Sequence, residues 1–471
     1  MDSQIKIKAG LIDRLKDVSE ILNIVPSEVI EQFAVSTNVD RHVKLLQGGL
    51  MFNMLLHMLL TENRISQRVA REVLTGKMYE FPVQPKSNRV IADHTSITKR
   101  LASIKVEFFR HLYEKFRDTI SPLYQPVELR KLHLCPVDST IVAETCNKLS
   151  EGFLHGARGK DGRQRRHVKY SEVFDGLSVL GVCFNDDPSR QAENNALPGV
   201  IRKAARYDRL HRNLYIIDRG LTGSKTLGRL SCQDGGTQNG ELRDKVNFLV
   251  RISDSRRTET VGKLECDTRE YAVDSTHRIV ISEFDEVRIF SSASAVPDPG
   301  IYRHVKATLY EDTVDAAGNV VNTTQSIINL LTDVDDITAT EMLEAYRKRW
   351  MIEVFFKFIK QNLDFSHLLS TSANGLQVMM YMTMMAAMMV LIYGKACGLG
   401  FRTAKVRFDY KVEAMTVAQM ILISGGNTAE FMRKYDVLLP KWASDATCIQ
   451  PYEGLSAITD CEYVFNTIKH V

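Results

Sequence analysis

Between Tyr346 and Lys360 the chain reads YRKRWMIEVFFKFIK, an apolar and aromatic stretch without proline or glycine. Within it Tyr346, Arg349, Glu353 and Lys360 recur at helical spacing. At about 100° per residue, Arg349, Glu353 and Lys360 fall roughly 60°, 20° and 40° from Tyr346, all on one side. The four share a narrow stripe with Lys357 beside it, and Met351, Ile352, Val354, Phe355, Phe356, Phe358, Ile359 and Leu363 cover much of the rest. A helix this apolar is expected to be buried. Burying a carboxylate, a guanidinium and an ammonium is costly unless each has a partner. The stripe therefore either builds its own ladder, Glu353 with Arg349 and Lys357, or faces something charged. A carboxylate flanked by two cations and a phenol suits a metal ion bound to a phosphate backbone.

Two more acids have suggestive positions. Asp138 lies inside KLHLCPVDSTIVA (131–143), which reads as a strand. Asp218 stands where the apolar run NLYIIDRG (213–220) gives way to the turn DRGLTG. Ligands in open α/β sheets bind at the carboxyl ends of strands. Taken singly, an acid at a strand end is more often a cap or turn former. Together with Glu353, the two have the order needed to bring three carboxylates onto one face of a small mixed sheet. Hard oxygen ligands of this kind suit Mg²⁺ or Mn²⁺, which bind substrate phosphates.

The elements that must position these groups follow from periodicity. Residues 1–125 read as helical, with apolar positions at three- and four-residue spacing through Val43–Leu60 and Val90–Phe116. ISQRVAREVL (Ile65–Leu74) forms a short helix, and Asp93 is the N-cap expected for the helix that follows it. Arg68, Arg71, Lys99 and Arg100 on these two helices fit either a helix-turn-helix-like DNA reader or a plain bundle with solvated charges. After residue 130 the order becomes strand (131–143), strand (173–184), a helix over about 189–209 and the strand ending at Asp218, an α/β pattern. Residues 244–324 are β-rich, with a hairpin tip at Asp315–Asn319, and QSIINLLTD (325–333) is a further buried strand leading towards the 346–360 helix. This organisation gives a helical region over 1–125, a catalytic domain over 126–243 and 325–398, a β-rich insertion over 244–324 and a helical C-terminal region over 399–471, suited to dimerisation or DNA contact.

Composition bounds the class. Of 471 residues, 44% are hydrophobic and 25% charged, as in ordinary globular proteins, and a net charge of +4 leaves any nucleic-acid argument to local charge. The segment His155–Lys169, HGARGKDGRQRRHVK, supplies such a patch: six Lys/Arg against one Asp, including Arg158, Lys160, Arg163, Arg165 and Arg166. As a loop between the first two strands it either meets DNA phosphates or is a solvated turn. The eight cysteines show no CxxC or Cys/His zinc spacing and read as reduced. MDSQIKIKAGLIDRL has no apolar signal core, so secretion is not expected. Leu376–Tyr393 imitates a membrane span in length; its methionines and the lack of basic anchors favour a helix in the protein core.

The stripe Y-x2-R-x3-E-x6-K, with the upstream VDST and DRG segments and the chain length, resembles one large family of bacterial insertion-sequence transposases (family four), of the DDE, ribonuclease-H-like kind. The resemblance implies a ribonuclease-H-like mixed α/β sheet interrupted by a β-rich insertion. It implies that Asp138, Asp218 and Glu353 form a metal-binding catalytic triad holding two Mg²⁺ or Mn²⁺ ions. Tyr346, Arg349 and Lys360, with Lys357 beside them, would then meet the phosphates of the element's end, while Lys99, Arg100 and the 158–166 cluster are further DNA contacts. It implies double-stranded DNA partners (element ends and target), cut-and-paste chemistry through a hairpin end, a homodimer on paired ends and a cytoplasmic, nucleoid-associated protein. Leu221 stands where the family usually has an aromatic residue. Some relatives hold a flipped base with a tryptophan in the insertion; here Trp350 and Trp442 lie outside it, so Tyr302, Phe290 or Tyr310 would have to serve. Two other readings are a catalytically silent DNA-binding inhibitor of transposition and a ribonuclease-H-type nuclease.

Overall fold

Helical spacing governs the chain as far as Ile120, and strand alternation takes over after it. The computed structural model describes residues 5–437 apart from 9, 63, 76–91, 144–152, 155–165, 188–191, 209–211, 220–222, 231–236, 239–240, 243–245, 292–293, 295, 316–318, 366–368 and 424. The principal elements begin with helices α1 (Gly48–Thr61), α2 (Gln67–Thr75), α3 (His94–Ser103) and α4 (Val106–Ile120). Strands β1 (Leu132–Ala143), β2 (Arg166–Phe174) and β3 (Val179–Asn185) precede helix α5 (Glu193–Ala205). Strands β4 (Asn213–Ile217), β5 (Asn247–Arg251), β6 (Thr258–Lys263), β7 (His277–Ile289), β8 (Tyr302–Val314) and β9 (Val320–Thr332) come next. Helices α6 (Ala339–Arg347), α7 (Trp350–Asn362), α8 (Ala373–Cys397) and α9 (Phe401–Ile423) follow.

The chain divides into two compact units. One comprises Met1–Ile5, Pro126–Asn147 and Glu151–Lys357, and the other Lys6–Gln125, Lys148–Ser150 and Phe358–Val471. The first unit holds the principal sheet, with strand order β3-β2-β1-β4-β5-β9-β8-β7-β6. β1, β2 and β3 are mutually antiparallel neighbours, whereas β4 runs parallel to β1 and β5 parallel to β4. Three antiparallel strands, a helix, and two strands parallel to the first make up the ribonuclease-H-like mixed sheet that the resemblance implies. The β-rich block continues this sheet: β9 pairs antiparallel with β5, and β8, β7 and β6 follow outward.

Alternation sorts the residues of β1 and β4 onto two faces. Cys135 and Val137, with Tyr215 and Ile217, pack against Leu197, Val200 and Ile201 of α5 on one face. By the same alternation Asp138 and Asp218 belong to the other. That second face includes Phe174, whose ring stacks on Phe355 of α7 with centroids 4.4 Å apart. Gly181 on β3 marks the closeness of α5, since a Cβ there would meet Val200 O at 3.1 Å and Ala204 N at 3.2 Å.

In the second unit α8 is surrounded by helices. Its most apolar 18-residue window is 94% buried, although its length and composition alone would let it cross a membrane. Ser372 caps it by accepting from Gly375 N, and Gly398 ends it in the left-handed conformation at φ 66°. The Asn374 side chain ties its start to the end of α3, donating to the carbonyls of Leu101 and Ile104. The span expected as one helix after Asp93 is two, α3 and α4, with Lys105 in extended geometry between them. Asp93 does precede α3, but its carboxylate accepts from the Thr95 hydroxyl rather than from a backbone N–H of the first turn.

Candidate catalytic and metal-binding site

The two aspartates are brought together by strand register. The β1–β4 parallel ladder ends at the pair Val137 and Ile217, so Asp138 and Asp218 stand one residue further along, at the carboxyl end of the paired segment. Asp138 is half-buried, with its Oδ1 accepting from Ser139 N at 2.7 Å. Asp218 Oδ1 accepts from Arg219 N at 2.8 Å. Asn194, in the first turn of α5, steadies the turn beyond Asp218 by accepting from Gly223 N at 2.9 Å.

The Tyr346–Lys360 segment is not one uninterrupted helix. α6 ends at Arg347 and α7 begins at Trp350. Across the junction the bonds tighten to three-residue spacing, with Lys348 N on Ala345 O, Arg349 N on Tyr346 O and Met351 N on Lys348 O, each at 3.0 Å. In such a turn residues three apart eclipse one another, and this aligns Tyr346 with Arg349. The Tyr346 hydroxyl donates to Asp218 Oδ1 at 2.9 Å, and an Arg349 terminal nitrogen lies 3.8 Å from Asp218 Oδ2. The same Arg349 nitrogen is 2.5 Å from Glu353 Oε1, one turn into α7. The helix-internal Arg349–Glu353 pair is therefore formed, and it extends to Asp218. α6 is itself anchored: Thr338 and Glu341 make a reciprocal capping box, and Arg130 Nε donates to Glu341 Oε1 at 2.6 Å.

The electrostatics separate the two aspartates. Burial, with the nearby Glu193 and Asp218 charges adding to it, pushes the Asp138 carboxyl up to about 6 against the pull of Ser139 N–H and Arg349. Burial would also raise Asp218, but Arg219 N–H, the Arg349 guanidinium and the Tyr346 hydroxyl outweigh it and hold that carboxyl below its ordinary value. Burial first, and the Asp218 charge second, push the Tyr346 phenol up to about 12, so it remains a hydrogen-bond donor. Two carboxylates gathered on one guanidinium, beside an aspartate that keeps its proton for want of positive charge, form a donor set that fits a divalent cation. Asp138, Asp218 and Glu353 are the residues that would hold it.

The other sequence candidates are placed as follows. Lys357 is exposed on α7, and Lys360, one turn later, is half-buried. Arg158, Lys160, Arg163 and Arg165 lie outside the described residues, and Arg166 opens β2 half-buried. Lys99 is exposed. Arg100 has a structural task instead of a DNA contact: it donates to the carbonyls of Leu46 and Val39, each at 2.9 Å, and lies 3.3 Å from Asp40. A cation on a helix surface reads alike in sequence whether carbonyls or solvent surround it. Among the aromatics considered for a flipped base, Tyr302 is only 2% exposed and belongs to the core. Arg257 covers the Phe290 ring at 4.4 Å, and Arg278 covers Tyr310 at 4.1 Å.

Sequence reasoning missed Glu193 and Lys169. On the α5 face of the sheet, Glu193 accepts from Lys169 Nζ at 2.6 Å and from the Ser139 hydroxyl at 2.9 Å. This fastens the start of α5 to β1 beside Asp138. Lys169 had been counted with the basic run, but it is only 4% exposed. Strand alternation within RHVKYSEVF carries the signal for it.

A family model described as Transposase DDE domain matches residues 133–389, more than half of the chain. Among solved structures, a piggyBac transposase synaptic complex with hairpin DNA is similar at 12% sequence identity, over 98% of this chain and 91% of that one, with a TM-score of 0.44. No curated protein matches the sequence.

Proposed function

The chain belongs to the Transposase DDE domain family, and from that premise we propose that it binds the terminal inverted repeats of its own mobile element as double-stranded DNA, cuts them and transfers the freed ends to target DNA. The observation that carries this reading is the convergence of Asp138, Asp218 and Glu353. The two aspartates lie side by side at the ends of parallel strands, and Glu353 is linked to Asp218 through Arg349. Two Mg²⁺ or Mn²⁺ ions bound by these three carboxylates would supply activation of the attacking oxygen and charge stabilisation of the leaving one.

The chain's own residues prepare that chemistry. Asp138 keeps its proton to about pH 6 until positive charge is brought beside it. Asp218 is held ionised and oriented by the Tyr346 hydroxyl. Arg349 leaves its buried Nε without a hydrogen bond among the described residues, so it has a donor to spare for a phosphate oxygen. Lys357 and Lys360 add point charge along the same helix. Water attack frees a 3′-hydroxyl at the element's end. That hydroxyl then attacks the opposite strand, closing a hairpin, and two chains act on paired ends.

The deciding experiment is strand cleavage of a labelled duplex carrying the inverted repeat that flanks the reading frame, with Mg²⁺ present. Wild type is expected to nick it and Glu353→Gln to leave it at background while still binding it. Equal cleavage by both proteins would remove Glu353 from the chemistry. Binding without cleavage by either would favour a silent DNA-binding protein.

A further inference from the structure

The β-rich strands carry a polar cluster that the proposed cleavage site does not use. Register places Asp285 of β7 opposite His304 of β8 and Glu283 opposite Lys306, just beyond a bulge between Ile281 and Glu283. Cross-strand partners project to the same side, so Glu283, Asp285 and His304 share one face. One ring nitrogen of His304 and one carboxylate oxygen from each acid lie within 4.8 Å of one another.

His304 makes this more than an acidic surface. The residue is only 4% exposed, and its Nε2 lies 2.6 Å from Asn329 Oδ1. That acceptor assigns the ring proton to Nε2 and leaves a lone pair on Nδ1. Nδ1 is buried and takes no hydrogen bond among the described residues. A buried lone pair facing two carboxylates is unfavourable unless positive charge lies between them. Lys306 supplies some from one side, with Nζ 3.2 Å from Glu283 Oε1, but it does not satisfy the imidazole. Burial holds the His304 ring below its ordinary value, and the neutral ring is the form that ligates metals.

We propose that Glu283, Asp285 and His304 form a second divalent-cation site, separate from the proposed triad, which takes a borderline transition ion such as Zn²⁺ through His304 Nδ1 and the two carboxylates. An imidazole nitrogen favours Zn²⁺ over the hard, oxygen-seeking Mg²⁺. Asn329 fixes the ring as the outer partner of a metal-bound histidine does. A bound ion would pin β7 to β8 within the β-rich block.

The test is calorimetric titration of the full-length, chelator-treated protein with ZnCl₂ in millimolar Mg²⁺, without DNA. Wild type and Glu353→Gln are expected to show the same zinc site. Asp285→Asn and His304→Gln are expected to weaken it about 10–100-fold, as loss of a ligand or its orienting partner does, and Lys306→Ala to tighten it by removing a competing cation. Asp285 is only half-buried, so its variant keeps the measurement decisive if His304→Gln unfolds. Zinc affinity equal in wild type and Asp285→Asn would overturn the proposal, as would zinc binding lost in Glu353→Gln alone. Because no DNA is present, neither result depends on whether the triad cleaves.

Discussion

Arg349 is the residue on which the site's two demands meet. In the DNA-free protein its guanidinium holds Asp218 and Glu353, and the same planar fork is suited to grip a phosphate. Removing it should therefore affect binding more than folding. Arg349→Ala is expected to weaken binding of element ends and to lower the slope of log affinity against log salt by about 1, the share of a single phosphate contact. Arg349→Lys should keep the slope and lose part of the affinity, because a point charge replaces the fork. The check is fluorescence anisotropy on a labelled end across a salt series; an unchanged slope in Arg349→Ala would separate Arg349 from the phosphates. Lys169 shows the opposite outcome for a basic residue: beside a run of arginines it reads as a DNA contact, yet burial and Glu193 make it a structural cation.

Elements determine how these residues meet. The tightened turn between α6 and α7 puts Tyr346 and Arg349 on one carboxylate, and the capping box with Arg130 sets where α6 begins. On the opposite face α5 must lie close to β3, because Glu193 and Asn194 at its start hold β1 and the turn after Asp218. Gly181 permits that approach. Gly181→Val is therefore expected to destabilise the sheet unit by about 1–3 kcal/mol, the usual cost of overpacking. Denaturant unfolding would read the loss, and cleavage should fall with it as α5 is displaced. Undiminished stability would mean that α5 does not need this close approach. The hydrophobic periodicity made α5 legible; what its first turn holds was not, since one Glu and one Asn at a helix start are ordinary.

At the scale of the whole molecule, two units solve different burial problems. The sheet buries its α5 face under amphipathic helix, whereas α8 is apolar all round and needs protein on every side. Residues 358–398, grouped with the sheet on the sequence pattern, accordingly pack with the helices of residues 6–125. His57 of α1 belongs to this helical unit, and burial lowers its imidazole to about 4. The unfolded chain takes up that proton near pH 6.5 and the folded chain only near 4, so the unfolded state binds more protons between those values. The contribution of His57 is thus intact above about pH 6.5 and declines as pH falls towards 4, by at most about 3 kcal/mol. His57→Leu should flatten this part of the acid limb in thermal melts recorded from pH 7 to 4; identical limbs would show that other groups set it.

Sequence alone determined the chemistry-bearing residues and their order. Asp138 in a strand, Asp218 at a strand end and the Tyr346–Lys360 stripe are read from residue type and period, because alternation and helical spacing are local properties of the chain. The strand-strand-strand-helix-strand order and the buried character of α8 are legible for the same reason. Tertiary structure alone decided which side chains share a carboxylate. It gave Arg100 to backbone carbonyls, Lys169 to Glu193 and Arg349 to both Asp218 and Glu353. It also set Asp285 against His304 across two strands. Those outcomes depend on register, on the turn between α6 and α7 and on desolvation, which arise only when segments distant in sequence are packed together.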